Sequence, residues 1–472
     1  MKKARFTPDV AMSESGYLCH EETMNHRSIY LLLVLLLFAT KLFAEDPRTY
    51  HLTLTDAVQL ALKQNPDLQT SRLEVDRADA RVSEAWGNVF PSIDFAGRYT
   101  RTLKRPVFFA TFGGEQTEIE IGANHALDLS LTGRQILFNG AVFVGVGAAK
   151  VYSQLSRDLY QGKKVETVTK VRKAYYGALL AREVVGMMQS SLRNAEDNLK
   201  NVLLLKRQGI VSDYDELRAS VQVENLRPSV IQSENNYELA LDALRNTIGV
   251  DKGMEFTVAD SLSLVSVDES LIARAEELAL ESNPNLKAVN NQIDLNGAVV
   301  NAERSNYLPT IAAFGQYQYQ AAKDIFNFST NDLIGSAQVG LSVSMNLFQG
   351  LQTNARVEQA QIEQMKSEEQ RTILERSLRT GVHSVVGTLR QSRKRIEAQE
   401  RTVETAERGY KIAAARFAAN SATQLEVNDA QLALTQSKVN RIQALYDYLV
   451  AAADLDQLLG RLPAYVSADP LD

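Results

Sequence analysis

Four short stretches of the chain alternate apolar and polar residues, and almost everything between them repeats at helical spacing. Residues 55–89 read as one helix that stops at Pro91. There the period changes to two. Ile93, Phe95, Gly97 and Tyr99 fall on one face, with Asp94, Ala96 and Arg98 on the other. Residues 127–132 set Leu127, Leu129 and Leu131 against Asp128, Ser130 and Thr132. Ala313, Gly315, Tyr317 and Tyr319 oppose Gln316, Gln318 and Gln320. Val339, Leu341, Val343, Met345 and Leu347 oppose Gln338, Gly340, Ser342, Ser344 and Asn346. The pattern predicts four strands of about ten residues, each apolar on one face and polar on the other.

The helical stretches are long. No proline occurs from Gly350 to Arg416, 67 residues that span roughly 100 Å at 1.5 Å per residue. Val382, Leu389, Ile396, Val403 and Tyr410 recur every seven residues, as do Leu425, Leu432, Val439 and Tyr446, and Val223, Val230, Tyr237 and Leu244. A strict seven-residue repeat predicts left-handed coiled packing of these helices. The companion positions Ser392, Gln399, Ala406 and Ala413 are small or polar, which suits helices paired around water better than a solid four-helix core.

The chain also matches itself. At an offset of 218, residues 57–99 lie over 275–317 without a gap and share 15 of 43 positions, including Asn65/Asn283, Pro66/Pro284, Pro91/Pro309, Gly97/Gly315 and Tyr99/Tyr317. LFNG at 137–140 lies over LFQG at 347–350, and the run ending in Gly249 over that ending in Gly460. The expected organisation is a first repeat over 45–250, a connector at 251–270, a second repeat over 271–462 and a tail at 463–472. Neither copy is flanked by a Pro/Gly/Ser-rich linker, so two halves of one body are expected rather than two independent domains.

The N-terminus reads as an address. Residues 29–39 are eleven uncharged residues, too short to span a bilayer, with Arg27 before them and KLFA after. A secretory signal peptide over 1–44 is expected, with cleavage after Ala44 and Met24 as the natural start. The single cysteine, Cys19, lies inside that segment, so the exported chain has no thiol for a disulfide or a metal site. The five histidines show no ligand spacing, and no nucleophile–base set stands out. No catalytic residue, cofactor or metal is expected. A net charge of −6 without a long Lys/Arg block argues against a nucleic-acid partner.

Four ten-residue amphipathic strands separated by helices of this length do not make a compact soluble domain. They fit a membrane barrel, and four strands are too few to close one. Three copies would supply twelve.

This order of features resembles the TolC-like outer membrane efflux proteins. It includes the tandem duplication, the Asn-Pro in the first helix of each unit, the proline entering the first strand, LFNG/LFQG at the strand-to-helix turn and the glycine-ended last helices, over residues 50–462. The resemblance implies a mainly α fold with a membrane β-barrel part. It also implies a homotrimeric duct in the outer membrane of a Gram-negative bacterium that extends into the periplasm, contacts outer membrane lipid, and docks on a periplasmic adaptor and an inner-membrane transporter. A soluble periplasmic coiled-coil adaptor is the alternative, and an enzyme on a helical scaffold a third.

Further residues follow from the resemblance. The turns RQGIVSDYDELRA (207–219) and AANSATQLEVNDA (418–430) correspond to the family's gate. Glu426 and Asp429 stand where it has gate carboxylates, and their spacing puts them on one helix face. Threefold symmetry would stack them as two cation-favouring rings. Tyr214 and Asp215 match gate-contact positions. Asn420 replaces the usual turn glycine, and Ala422 a locking arginine. The competing reading of Glu426 and Asp429 is an ordinary acidic first helical turn. Residues 102–125 and 321–336 are expected as extracellular loops, with Arg98, Arg101, Lys104 and Arg105 near lipid phosphates or simply solvated. Trp86 is expected to pack near the helix-to-strand junction. GVGAAK (145–150) lacks the spacing of a phosphate loop.

Overall fold

A four-stranded antiparallel sheet interrupts a framework of very long helices. The computed structural model describes residues 50–112, 115–251, 253–419 and 421–466. The expected signal peptide, Met24, Cys19, Asn420 and the tail from 467 lie outside them. In chain order the elements are β1 (Tyr50–Leu52), α1 (Leu54–Gln64), α2 (Pro66–Gly87), β2 (Ser92–Arg101), β3 (Val107–Phe112), β4 (Glu115–Glu120), β5 (His125–Phe138), α3 (Gly140–Arg207) and α4 (Asp213–Ile248). Then come β6 (Phe256–Val258), α5 (Glu269–Ala273), α6 (Ala275–Ser282), α7 (Pro284–Ser305), β7 (Thr310–Lys323), β8 (Ile334–Ser344), α8 (Gln352–Ala418) and α9 (Gln424–Leu458). No helix among the described residues is long and apolar enough to cross a membrane.

The main sheet has the order β2-β5-β7-β8. Its register sorts residues by polarity across all four strands. Phe95, Leu131, Tyr317 and Ala337 form one row, and Ile93, Gly133, Gly315 and Val339 another. On the opposite face Asp94, Thr132, Gln316 and Gln338 align, and Gln338 Nε2 donates to Gln316 Oε1 at 2.7 Å. The apolar face is largely open to solvent in the single chain, with Ile93 75% and Val339 88% exposed. The sheet ends in two unpaired edges, β2 and β8.

The strands differ in length from the sequence reading. β5 and β7 each run 14 residues, and β8 stops at Ser344 rather than continuing to Leu347. The expected loop at 102–125 contains the β3–β4 hairpin. Arg105 is not a free loop charge. Its Nε donates to Asn124 Oδ1 at 3.1 Å and its Nη2 to Asp324 Oδ1 at 2.5 Å, tying the two loop regions together. Trp86 is half exposed near the end of α2, with Lys150 Nζ 5.7 Å from the ring centre.

Residues 55–89 are two helices, not one. The chain breaks at Asn65, whose extended backbone ends α1 and whose side-chain Oδ1 accepts from Leu68 N at 3.0 Å to start α2. Pro66 takes the first helical position, where no N–H is needed. The proline therefore marks a start rather than an interior residue.

The two longest helices, α3 (68 residues) and α8 (67 residues), each extend roughly 100 Å away from the sheet. Each turns back into a shorter partner. Val382, Leu389 and Ile396 are buried in α8, and Val223, Val230 and Leu244 in α4, as the seven-residue spacing predicts. The α9 stripe divides: Leu425 and Leu432 are 42% and 67% exposed in the single chain, while Tyr446 packs against the core. The buried side of α9 carries Gln424, Val427, Gln431, Leu434 and Ser437 instead. Gln431 Nε2 donates to the Ser191 carbonyl and Ser437 Oγ to the Leu434 carbonyl, both at 2.8 Å, so burial at those positions does not require an apolar residue. The largest core lies where α1, α3, α4, α8 and α9 meet the β1–β6 pair, around Val58, Tyr175, Leu244, Leu389 and Leu455.

Candidate channel gate at the helix hairpin tips

Two helix hairpins lead into helix starts of the same build. After α3, Gly209 adopts a left-handed backbone with φ 74°, which costs a glycine nothing. Ser212 then caps α4. Its Oγ accepts from Asp215 N at 3.3 Å, and Asp215 Oδ2 accepts from Ser212 N at 3.0 Å. After α8, Thr423 caps α9 in the same way, with Glu426 N to Thr423 Oγ1 at 3.3 Å and Thr423 N to Glu426 Oε1 at 3.2 Å. Both are capping boxes, a device worth about 1 kcal/mol at a helix start.

The two tips share one small core. Val202, Ala219, Ala413, Phe417 and Val427 are buried together, with Val211 and Ala422 against them. Ala422 therefore faces this core at the place where the family resemblance puts an arginine.

Of the four residues singled out in the sequence, two have defined partners. Asp215 and Glu426 cap helices, and Glu426 Oε2 also lies 3.5 Å from Arg416 Nη1. Asp429 is exposed and has no hydrogen-bond or ion-pair partner among the described residues. Tyr214 is 67% exposed beside Asp215. Glu426 and Asp429 project from the first two turns of α9, and Tyr214 and Asp215 from the first turn of α4.

Two cations were not legible in advance. Arg416, in the last turn of α8, reaches across the turn to Glu426 and donates from Nη2 to the Ser421 carbonyl at 2.8 Å. Lys206, at the end of α3, pairs with Asp213 at 2.6 Å and with Glu216. The hydrogen bond from Lys206 holds the Asp213 carboxyl below its usual range. The sequence signal is a basic residue about ten positions before an acidic one across a five-residue turn. Each tip is thus clamped within its own hairpin. An ion pair exposed to this degree contributes little stability, and its effect is on geometry.

The sequence model of the family described as "Outer membrane efflux protein" matches residues 57–250 and 276–461. Outer membrane protein TolC of Salmonella enteritidis is 23% identical over 423 residues, covering 87% of this chain and 82% of the relative. Alkaline protease secretion protein AprF of Pseudomonas aeruginosa is 22% identical over 416 residues, covering 88% and 85%. Among solved structures, the Campylobacter jejuni CmeC outer membrane channel superposes with a TM-score of 0.73 at 16% identity, over 86% of this chain and 85% of that one. These similarities support an outer membrane channel over a soluble periplasmic adaptor. With the family's sequence model covering well over half of its length, the chain belongs to the outer membrane efflux protein family, a family of transport channels rather than enzymes.

Proposed function

We propose that three copies of this chain form one continuous exit duct, a twelve-stranded β-barrel in the outer membrane set on an α-helical barrel that crosses the periplasm. The observation that carries this reading is the sheet. It has one polar and one apolar face in register across four strands, and two unpaired edges of ten and eleven residues. An edge that long is a template for another strand. Joining β8 of one copy to β2 of the next closes the sheet at twelve strands. The polar rows of Asp94, Thr132, Gln316 and Gln338 then face water inside, and Ile93, Phe95, Val339 and Leu341 face outer membrane lipid.

Within each copy, repeats over 45–250 and 271–462 supply two strands and one helix hairpin apiece, joined by the connector 251–270. The segment 1–44 directs export, and 463–472 is a tail. The exposed Leu425 and Leu432 on α9 suit contact with a neighbouring copy. A periplasmic adaptor protein and an inner-membrane transporter deliver the cargo, and the duct itself does no chemistry.

The hairpin tips are the gate in this reading. Glu426 and Asp429 form acidic rings at the constriction, with Tyr214 and Asp215 as contacts between tips. Arg416 takes the place of the missing arginine at position 422 by holding Glu426 from the preceding helix.

Purification from outer membranes in detergent tests the proposal. A band that runs as a trimer until heated, and discrete conductance steps in a planar bilayer, are expected. A stable monomer, soluble without detergent and silent in the bilayer, contradicts it.

A further inference from the structure

The four long helices stand in a row with two open edges. Gln189 Nε2 in α3 donates to Glu234 Oε1 in α4 at 2.9 Å, and Ser191 Oγ in α3 lies 2.9 Å from Thr435 Oγ1 in α9. Lys438 in α9 pairs with Glu407 in α8, also at 2.9 Å. The order is α4-α3-α9-α8, so α4 and α8 each have a flank turned away from the other three helices. On α8 that flank lies opposite the buried Val382, Leu389 and Ile396, and it carries the exposed Arg376, His383, Arg390, Lys394, Arg401 and Arg408. On α4 the flank opposite the buried Val223, Val230 and Leu244 carries Leu217, Val221, Glu224, Ile231, Glu238 and Asp242.

One edge is basic and the other acidic. Two acids reach the α8 edge, and both are engaged along the helix, Glu397 by Arg393 at 3.8 Å and Glu404 by Arg408 at 2.5 Å. On α4, Glu224 is engaged by Arg227 at 3.3 Å and Asp242 by Arg245. Arg376, Arg390, Lys394 and Arg401 have no ion pair among the described residues, and neither does Glu238. Each edge also repels itself. Arg390 and Lys394 are four residues apart, and Glu238 stands four from both Glu234 and Asp242. Like charges at that spacing destabilise a helix.

The two edges match in height. Both hairpin tips enter one small core, so distances along α4 and α8 share an origin. At 1.5 Å per residue, Lys394 and Glu238 both lie about 37 Å from the tips, and Arg390 and Asp242 about 43 Å. Nearer the tips, the exposed Ile412 at about 9 Å falls between the exposed Leu217 at about 6 Å and Val221 at about 12 Å. A threefold axis along the helices moves no residue up or down, so these heights carry over to a second copy.

We propose that the basic edge of α8 seats the acidic edge of α4 from a second copy of this chain, with Lys394 and Arg390 reaching Glu238 and Asp242. The inference rests on the three-chain reading above and adds the surface through which the helical parts join. A neighbour of opposite charge at the same height offsets the repulsion that each edge carries alone.

Charge reversal in the full chain tests it, read by the temperature at which the trimer band is lost on heating in detergent. Lys394→Glu and Glu238→Lys each put repulsion at three interfaces and should lower that temperature by a few degrees, since exposed pairs are individually weak. Within one chain both changes act in the opposite sense, because each new charge stands four residues from an opposite one. A weaker trimer is then not a weaker helix. The two changes combined should restore the parent temperature. Lys394→Glu with Glu224→Lys, about 20 Å apart in height, should not restore it. High salt should shrink all these differences. The proposal is overturned if either single reversal leaves the trimer as stable as the parent, the result expected of an α8 edge that meets another protein or the cargo. It is also overturned if the mismatched combination restores stability as well as the matched one. In those cases trimers persist and the three-chain reading stands, whereas a parent that runs only as a monomer overturns both.

Discussion

Asn283 Nδ2 donates to the carbonyl of Leu458 at 2.9 Å, joining the kink between α6 and α7 to the end of α9. Asn65 makes the same bond to the Thr247 carbonyl at 2.8 Å, joining the α1–α2 kink to the end of α4. Each asparagine does two jobs with one side chain. Its oxygen caps the helix that follows, at Leu68 N or at Asn285 N and Leu286 N, and its nitrogen satisfies a carbonyl at the end of a distant helix. A glycine follows each of those ends in the left-handed region, Gly249 at φ 88° and Gly460 at φ 66°. Neither position has room for a side chain. A Cβ at Gly249 would sit 2.8 Å from Pro66 Cδ, and one at Gly460 would sit 2.6 Å from Pro284 Cδ.

These contacts order a set of substitutions. Asn65→Ala and Asn283→Ala each lose a cap and a tertiary hydrogen bond, a loss of about 1–2 kcal/mol. Gly249→Ala and Gly460→Ala add backbone strain to a clash with proline and are expected to cost more. Thermal unfolding of the detergent-solubilised protein should rank the variants in that order. A Gly249→Ala protein as stable as the parent would mean that the helix end shifts freely, contrary to the close approach seen here.

The gate proposal separates charge from capping. Glu426→Ala together with Asp429→Ala removes up to six carboxylates from three copies and should weaken cation selectivity in a planar bilayer. Block by divalent or trivalent cations from the periplasmic side should weaken with it. Glu426→Gln keeps a capping side chain, so it should recover stability while leaving one ring uncharged. Arg416→Ala releases Glu426 from its clamp and should alter conductance without removing any carboxylate. Parental selectivity in the double variant would reduce both residues to helix caps and move the constriction to Tyr214 and Asp215.

The first tip should hold its geometry over a wide pH range. Asp213 is fully exposed, and the hydrogen bond from Lys206 keeps its carboxyl below the ordinary value of 3.8. Hydrogen bonds to Asp213 and then to Glu216 raise the Lys206 ammonium above its ordinary 10.5. The carboxylate's contribution is present above its unfolded value and lost as pH falls through the lower folded one. The lysine's contribution is present below its unfolded value and lost as pH rises through the higher folded one. Protection of the turn amides at 208–213, corrected for intrinsic exchange, should therefore stay flat between about pH 5 and 9. Loss of protection between pH 5 and 7 would show that another group controls the turn.

The strands were legible because a period of two fixes which face each residue takes, and the register then aligned polar with polar from Asp94 to Gln338. The long helices were legible from the absence of proline and from stripes such as Val382, Leu389 and Ile396. The break at Asn65 was hidden because periodicity runs on through a kink, although the Asn-Pro pair marked it. The buried side of α9 was misread for a physical reason. Gln424, Gln431 and Ser437 are inside the single chain, while Leu432 is outside it on the face assigned to a neighbouring copy, so hydropathy marked a different face from the one buried within the chain. At the tips, Asp215 was singled out only through the family resemblance, and Glu426 was legible as an acidic residue in a first turn. Arg416 and Lys206 were not, because each acts across a turn on a residue about ten positions away.

The central claim is that three chains close one sheet. In a single chain β2 and β8 are separated by β5 and β7, so their backbones lie about 14 Å apart at the usual strand spacing. A disulfide needs Cα atoms within about 7 Å, so a bridge from β2 to β8 within one chain is excluded. Ala96→Cys combined in turn with cysteines along Ile334–Ser344, and oxidised in the membrane, reads the pairing directly. At the matching register the account predicts covalent dimers and trimers, with no species beyond three chains. Monomers at every position of the scan, or a ladder that continues past three, would contradict it.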